Sequence, residues 1–198
     1  MKKILQFAIL FISTHALSIQ VEAPFGLGWG ANRQSLEAMS ITLSECTTDG
    51  RLEFCYADNL PKSASMADKY VLILDKEFGL QKVMMLSKDI TSDATGSEGK
   101  ELYGNVKSNL ANKYNEPKSY EYSGIKLYDE YDEFYQCLAY DGCGAWLAIW
   151  DVDGGIVLEL KGLGRGKGYL KLTYESPKWA EIVDALNNQK DQNDADAF

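Results

Sequence analysis

The second half of the chain is a series of short apolar segments separated by glycine-marked turns, and this pattern leaves few ways to fold. Residues 119–122, 134–140, 145–150, 156–161 and 169–174 each have the length and content of a strand. Asp141-Gly142, Asp153-Gly154-Gly155 and the glycine-rich stretch 162–168 separate several of them. Connections this short join neighbouring antiparallel strands, so the pattern predicts hairpins in an antiparallel sheet. The first half carries the same signals. Residues 52–56 read as a strand after the turn Asp49-Gly50, and 70–74 and 80–86 form a hairpin around Lys76-Glu77-Phe78-Gly79.

Three stretches have helical spacing instead. Asn32 can cap a helix carrying Leu36, Met39 and Leu43, with residues 25–30 as a short strand or extended lead-in. Leu102, Val106, Leu110 and Tyr114 recur every four residues until Pro117 stops the pattern. Ser176 caps a last helix, with Pro177 in its first turn and a stripe of Trp179, Ile182, Val183 and Leu186. The expected fold class is α+β: antiparallel strands with about three helices packed on one face. Helix followed by strands occurs twice, which suggests half-repeats at about 25–90 and 97–186. Residues 59–68 read as a polar loop, 91–99 as a flexible crossing, and 187–198 as a frayed polar tail.

Residues 1–18 have the organisation of a secretory signal peptide. Lys2 and Lys3 precede an apolar run from Ile4 to Ile12, and small residues follow at Ala16 and Ser18. The run falls short of the ~20 apolar residues needed to span a bilayer. The expected mature domain is 19–186, soluble and periplasmic or secreted, with no transmembrane segment after signal removal. Cleavage also removes His15, the only histidine, and with it Ser–His or Cys–His nucleophile pairs and imidazole metal ligands. Losing Lys2 and Lys3 leaves 18 basic against 29 acidic residues, a net charge of −11. Such a surface repels nucleic-acid phosphates, so nucleic acid is not an expected partner.

Cys46, Cys55, Cys137 and Cys143 form an even set, suited to an oxidising compartment. Four cysteines allow three connectivities. Cys46 and Cys55 bracket Asp49-Gly50, while Cys137 and Cys143 bracket Asp141-Gly142, which favours two local disulfides over a four-thiolate zinc site.

Several motifs together resemble small exported bacterial α+β proteins, a largely uncharacterised group. The opening Phe25-Gly26-Leu27-Gly28-Trp29-Gly30 has their FGxxWG pattern before a capped helix. The strand Phe78-Gly79-Leu80-Gln81-Lys82-Val83 and the helix end Leu110-Ala111-Asn112-Lys113-Tyr114-Asn115-Glu116-Pro117 are similar too, as are Trp146, residues 156–158 and Leu172-Thr173-Tyr174. Asn115 departs from the pattern, which has glycine there. The resemblance spans about residues 25–186 and implies fold and compartment, without catalytic or cofactor-binding residues.

Candidate chemistry is sparse. Asp151-Val152-Asp153-Gly154-Gly155 lacks the ligand spacing of a calcium loop and reads as a turn. The 162–168 run has no Lys-Ser or Lys-Thr pair after its last glycine, so it reads as a mobile hairpin tip carrying Arg165 and Lys167. The distinctive segment is Tyr128-Asp129-Glu130-Tyr131-Asp132-Glu133, where acids alternate with aromatics. Aromatic side chains supply contact area and carboxylates steer a basic partner, so these six residues are the expected partner-binding set. The expected function is non-enzymatic binding, as an inhibitor or immunity-like protein for a basic protein, with no cofactor. A carboxylate-dependent hydrolase of glycans or cell-wall material and a structural envelope component are the alternatives.

Overall fold

The computed structural model describes residues 20–125 and 127–196. The expected signal peptide, residues 1–18, lies wholly outside them. Eight strands form one antiparallel sheet: β1 (Ser44–Asp49), β2 (Leu52–Ala57), β3 (Ala67–Asp75), β4 (Gly79–Ser87), β5 (Lys118–Tyr122), β6 (Ala145–Trp150), β7 (Gly155–Gly164) and β8 (Lys167–Glu175). Their spatial order is β1-β2-β3-β4-β8-β7-β6-β5. Two four-stranded meanders thus meet where β4 pairs with β8, Val83 opposite Tyr174. Among the described residues, four helices accompany the sheet: α1 (Arg33–Ala38), α2 (Ser97–Tyr114), α3 (Phe134–Ala139) and α4 (Trp179–Asp196). The α+β class is as expected. Among the described residues, no helix is long and apolar enough to cross a membrane.

Strand alternation decides where the helices sit. In β3, Tyr70, Leu72 and Leu74 enter the main core, while Val71 and Ile73 face the other way. The main core is covered by α2, through Tyr103, Val106, Leu110 and Tyr114, and by α3, through Phe134 and Tyr135. The expectation of helices on one face needs correction. Trp179, Ile182 and Leu186 of α4 pack on the opposite face, over Leu52, Phe54, Val71, Ile73 and Met84. The unbroken apolar run in β3 requires this, since such a strand must be covered on both sides.

Several local expectations also change. Residues 25–30 are turns, not a strand, because Phe25, Gly26 and Gly30 have φ of 59°, 79° and 79°. Asn32 does cap α1, accepting the Ser35 N–H at 2.8 Å, but the helix ends at Ala38 and β1 follows where helical spacing had reached Leu43. Asn115, where the resembled pattern has glycine, ends α2 with φ 66° and ψ −174°, a region otherwise almost confined to glycine.

The largest revision is α3, which replaces the strand expected at 134–140. Its buried residues Phe134, Tyr135 and Cys137 follow helical spacing, not alternation. The glycine run explains how α3 is accommodated. A Cβ on Gly162 would lie 1.8 Å from the Tyr135 carbonyl oxygen, and one on Gly168 would lie 2.4 Å from the Tyr135 ring. The tip that follows is tied down. Asp93 N–H donates to Gly166 O at 3.1 Å, and Ile90 and Gly168 exchange two backbone bonds. The 91–99 crossing is anchored as well, because Asp93 is buried and holds the start of α2. Residues 187–196, expected as a frayed tail, continue α4 as a polar helical extension.

Candidate functional site

Both disulfides close locally, Cys46 to Cys55 and Cys137 to Cys143. The second one shapes the loop that carries the acidic-aromatic segment. Chain leaving β5 at Tyr122 turns through Gly124, whose N–H donates to Cys137 Sγ at 3.1 Å. Ile125 N–H then donates to Cys143 O at 3.1 Å. At the far end, Glu133 N–H donates to Glu130 O, and Cys137 N–H to Glu133 O opens α3. The loop is therefore held from both sides by backbone bonds to α3 and its disulfide.

Pinned this way, the loop presents apolar groups to solvent. Ile125 is 63 % exposed, Leu127 50 %, Tyr131 80 % and Tyr140 47 %. Tyr128, with φ 58°, packs edge-on against Tyr140 at 5.9 Å between ring centroids. Exposed apolar residues scattered singly are ordinary; here four fall in one loop and at the end of the helix it is bonded to, a grouping that suits a contact surface. The acids around it divide into two pairs. Asp129 and Glu130 are exposed and have no ion-pair partner among the described residues. Asp132 and Glu133 are turned toward Arg165, at 3.6 and 3.2 Å. Of the six residues expected to bind a partner, Asp129, Glu130 and Tyr131 are exposed and Tyr128 is half-buried against Tyr140, whereas Asp132 and Glu133 hold the β7–β8 tip to the loop.

Sequence reading missed Ile125, Leu127, Tyr140 and the exposed Asp141 as parts of this surface. The cysteine pair was the available signal. A six-residue bridge necessarily presents Tyr140-Asp141-Gly142 at its tip, beside whatever packs on its sulfurs. Behind the loop, the Lys100 ammonium stands over the rings of Phe134 and Trp146, at 4.0 and 5.1 Å from their centroids. Burial pushes its pKa down, and the nearby Asp93 carboxylate partly offsets this.

Two buried carboxylates show what acid chemistry the interior holds. Burial raises the pKa of Asp75, but the Arg51 guanidinium and the N–H groups of Phe78 and Glu77 outweigh it, so the net shift is downward. Asp93 follows the same logic. Burial is opposed by the Gly99 N–H at 3.0 Å, the Tyr135 hydroxyl at 2.8 Å and Ser97, and the net direction is again down. Both are held ionised, the opposite of what a general acid needs. Cys46, Glu53 and Cys55 lie together, but the two sulfurs are bonded to each other and supply no thiolates for a metal. A cleft of about 840 Å³ separates the 20–29 segment from the end of α2, with Phe25, Asn109, Lys113 and Tyr174 in its lining.

Compared with protein-family models, curated proteins and solved structures, the chain gives no match.

Proposed function

We propose that the protein is an exported binding module, and that its disulfide-stapled loop docks a basic protein in the periplasm or outside the cell. The supporting observation is the surface of Ile125, Leu127, Tyr131 and Tyr140, with half-buried Tyr128 between them, bordered by the carboxylates of Asp129, Glu130 and Asp141, which have no ion-pair partner among the described residues. Apolar and aromatic groups give such a surface its contact area, and the carboxylates set the sign of partner it attracts. Export is read from the N-terminal signature, the two disulfides and the resemblance to exported α+β proteins. Capping a cationic protein in this way is what an inhibitor or immunity-like protein does.

Affinity capture tests the proposal. Oxidised mature protein is immobilised and exposed to envelope and culture fractions of the source organism, at low and moderate salt. The expected result is retention of one basic protein, weakening as salt rises because exposed charge pairs are screened beyond ~10 Å at 0.1 M. Retention that is indifferent to salt, or confined to acidic proteins, would overturn the reading.

A further inference from the structure

The sheet ends in two edges of very different character. At β1 the pairing register with β2 shifts between Ser44 and Thr47, Glu45 has φ 46°, and Cys46 is bonded across to Cys55. A bulge and a left-handed residue break the regular row of donors and acceptors that a further strand would need. At the opposite edge, β5 pairs with β6 without a register shift from Lys118–Ile149 to Tyr122–Ala145. All five of its residues are exposed, and it contains neither proline nor glycine. Among the described residues, one edge is blunted and the other is open.

Chemistry at the open edge suits one kind of occupant. Lys118, Tyr120 and Tyr122 share a face, with Leu147 and Ile149 half-buried beside them on β6. Tyr120 and Tyr122 are 49 % and 42 % exposed, so the face offers apolar area to alternate side chains of an added strand. Carboxylates stand at both ends. Glu116 and the Asp151 side chain, 86 % exposed, are near the start, and Asp151 lies 3.8 Å from Lys118. Beyond Tyr122, a Cβ on Gly124 would lie 3.4 Å from Asp129 Cα, so Asp129 stands beside the strand exit. Five residues span ~17 Å at the usual rise per residue, a distance an extended peptide with cationic ends can cover.

We infer that β5 is a strand-addition edge, and that the occupant is an extended segment of a basic partner. Its backbone pairs with β5, and its terminal cationic side chains meet Asp151 at one end and Asp129 with Glu130 at the other. This rests on the reading of the adjacent loop as a dock for a basic protein, and it adds the recognition mode: main-chain pairing for affinity, side chains for selection. Lys118 acts as a guard that discourages indiscriminate pairing.

The probe is a seven-residue peptide of alternating threonine and valine with arginine at both ends, alongside the same peptide N-methylated at alternate residues. Amide exchange across Lys118–Tyr122 is followed by NMR in the oxidised protein, and affinity by calorimetry. The expected result is at least tenfold slower exchange of the outward β5 amides with the unmodified peptide. N-methylation on the pairing edge weakens binding at least tenfold, and Lys118→Ser strengthens it several-fold. Protection confined to 124–131 with β5 unchanged overturns the inference and leaves the loop reading standing. Failure of the peptide to bind while a basic protein is still captured does the same. Failure of both peptide and protein binding overturns the two together. Protection of β5 that rises with protein concentration in the absence of peptide makes a second copy the occupant, and also overturns the inference.

Discussion

Replacing the Asp93 side chain removes the carboxylate that ties α2 to α3, while the backbone bond from Asp93 to the β7–β8 tip stays in place. The carboxylate accepts Gly99 N–H at 3.0 Å, inside the first turn of α2, and the Tyr135 hydroxyl at 2.8 Å, from α3. The Asp93 N–H donates to Gly166 O at the β7–β8 tip. Asp93 is 6 % exposed, and Tyr135 is fully buried. Asp93→Ala therefore leaves two interior donors without an acceptor, each costing roughly 1–3 kcal/mol. The expected loss is about 3–4 kcal/mol, or about 10 °C in Tm at ~3 °C per kcal/mol for a chain of this size. Asp93→Asn keeps an oxygen where both donors converge and gives up only the charge, so about 1 kcal/mol is expected. Urea melts of the oxidised protein measure both. The pH dependence follows from the direction of the shift. A carboxyl whose folded pKa lies below its unfolded value contributes stability above the unfolded value of ~3.9, lost as pH falls through the folded pKa. The gap between wild type and Asp93→Asn should therefore narrow as pH drops below about 4. Asp93→Ala melting within 1 kcal/mol of wild type, or Asp93→Asn falling as far as Asp93→Ala, would refute the assignment of the cost to unpaired donors.

Three further outcomes follow from the packing. Gly162→Ala drives a methyl into the Tyr135 carbonyl, which is backbone and cannot swing aside, so α3 must move; a loss of at least ~2–3 kcal/mol in thermal melts is expected. Joint replacement of Cys137 and Cys143 by alanine should cost about 2 kcal/mol for a loop this short, and NMR shift changes should concentrate at 123–131, whose backbone bonds to those residues. Truncation after Leu186 should leave Tm within about 1 °C, because the described part of the removed helix is exposed and polar and packs on nothing in the core.

The sequence revealed most where strands are bounded by tight turns. The β6 and β5 limits were close to expectation because Asp141-Gly142 and Pro117 mark them. The reading failed at α3 because Phe, Tyr and Cys favour strands on average, and what decides their conformation is a groove formed by Gly162 and Gly168, which lie some thirty residues away. It failed at 91–99 because a polar, glycine-containing stretch looks the same whether solvated or clamped by a buried carboxylate. The candidate site divides in the same manner. Composition exposed the acidic-aromatic segment, but only the fold shows that Arg165 occupies Asp132 and Glu133 while Asp129 and Glu130 stay unpaired among the described residues. Ile125 and Leu127 join the surface because backbone bonds to the disulfide turn hold that stretch outward, a consequence of distant pairing that no local pattern carries.

The loop is proposed to capture a basic protein through Tyr131, Asp129 and Glu130. The most direct test compares wild type with the variant Asp129→Asn, Glu130→Gln, Tyr131→Ser, measuring Kd for the captured protein and Tm on the same samples. All three side chains are exposed, so Tm should hold within about 1 °C. Loss of three contacts at a docking centre should weaken binding about a hundredfold or more. An unchanged Kd at unchanged Tm would rule out capture through these three side chains.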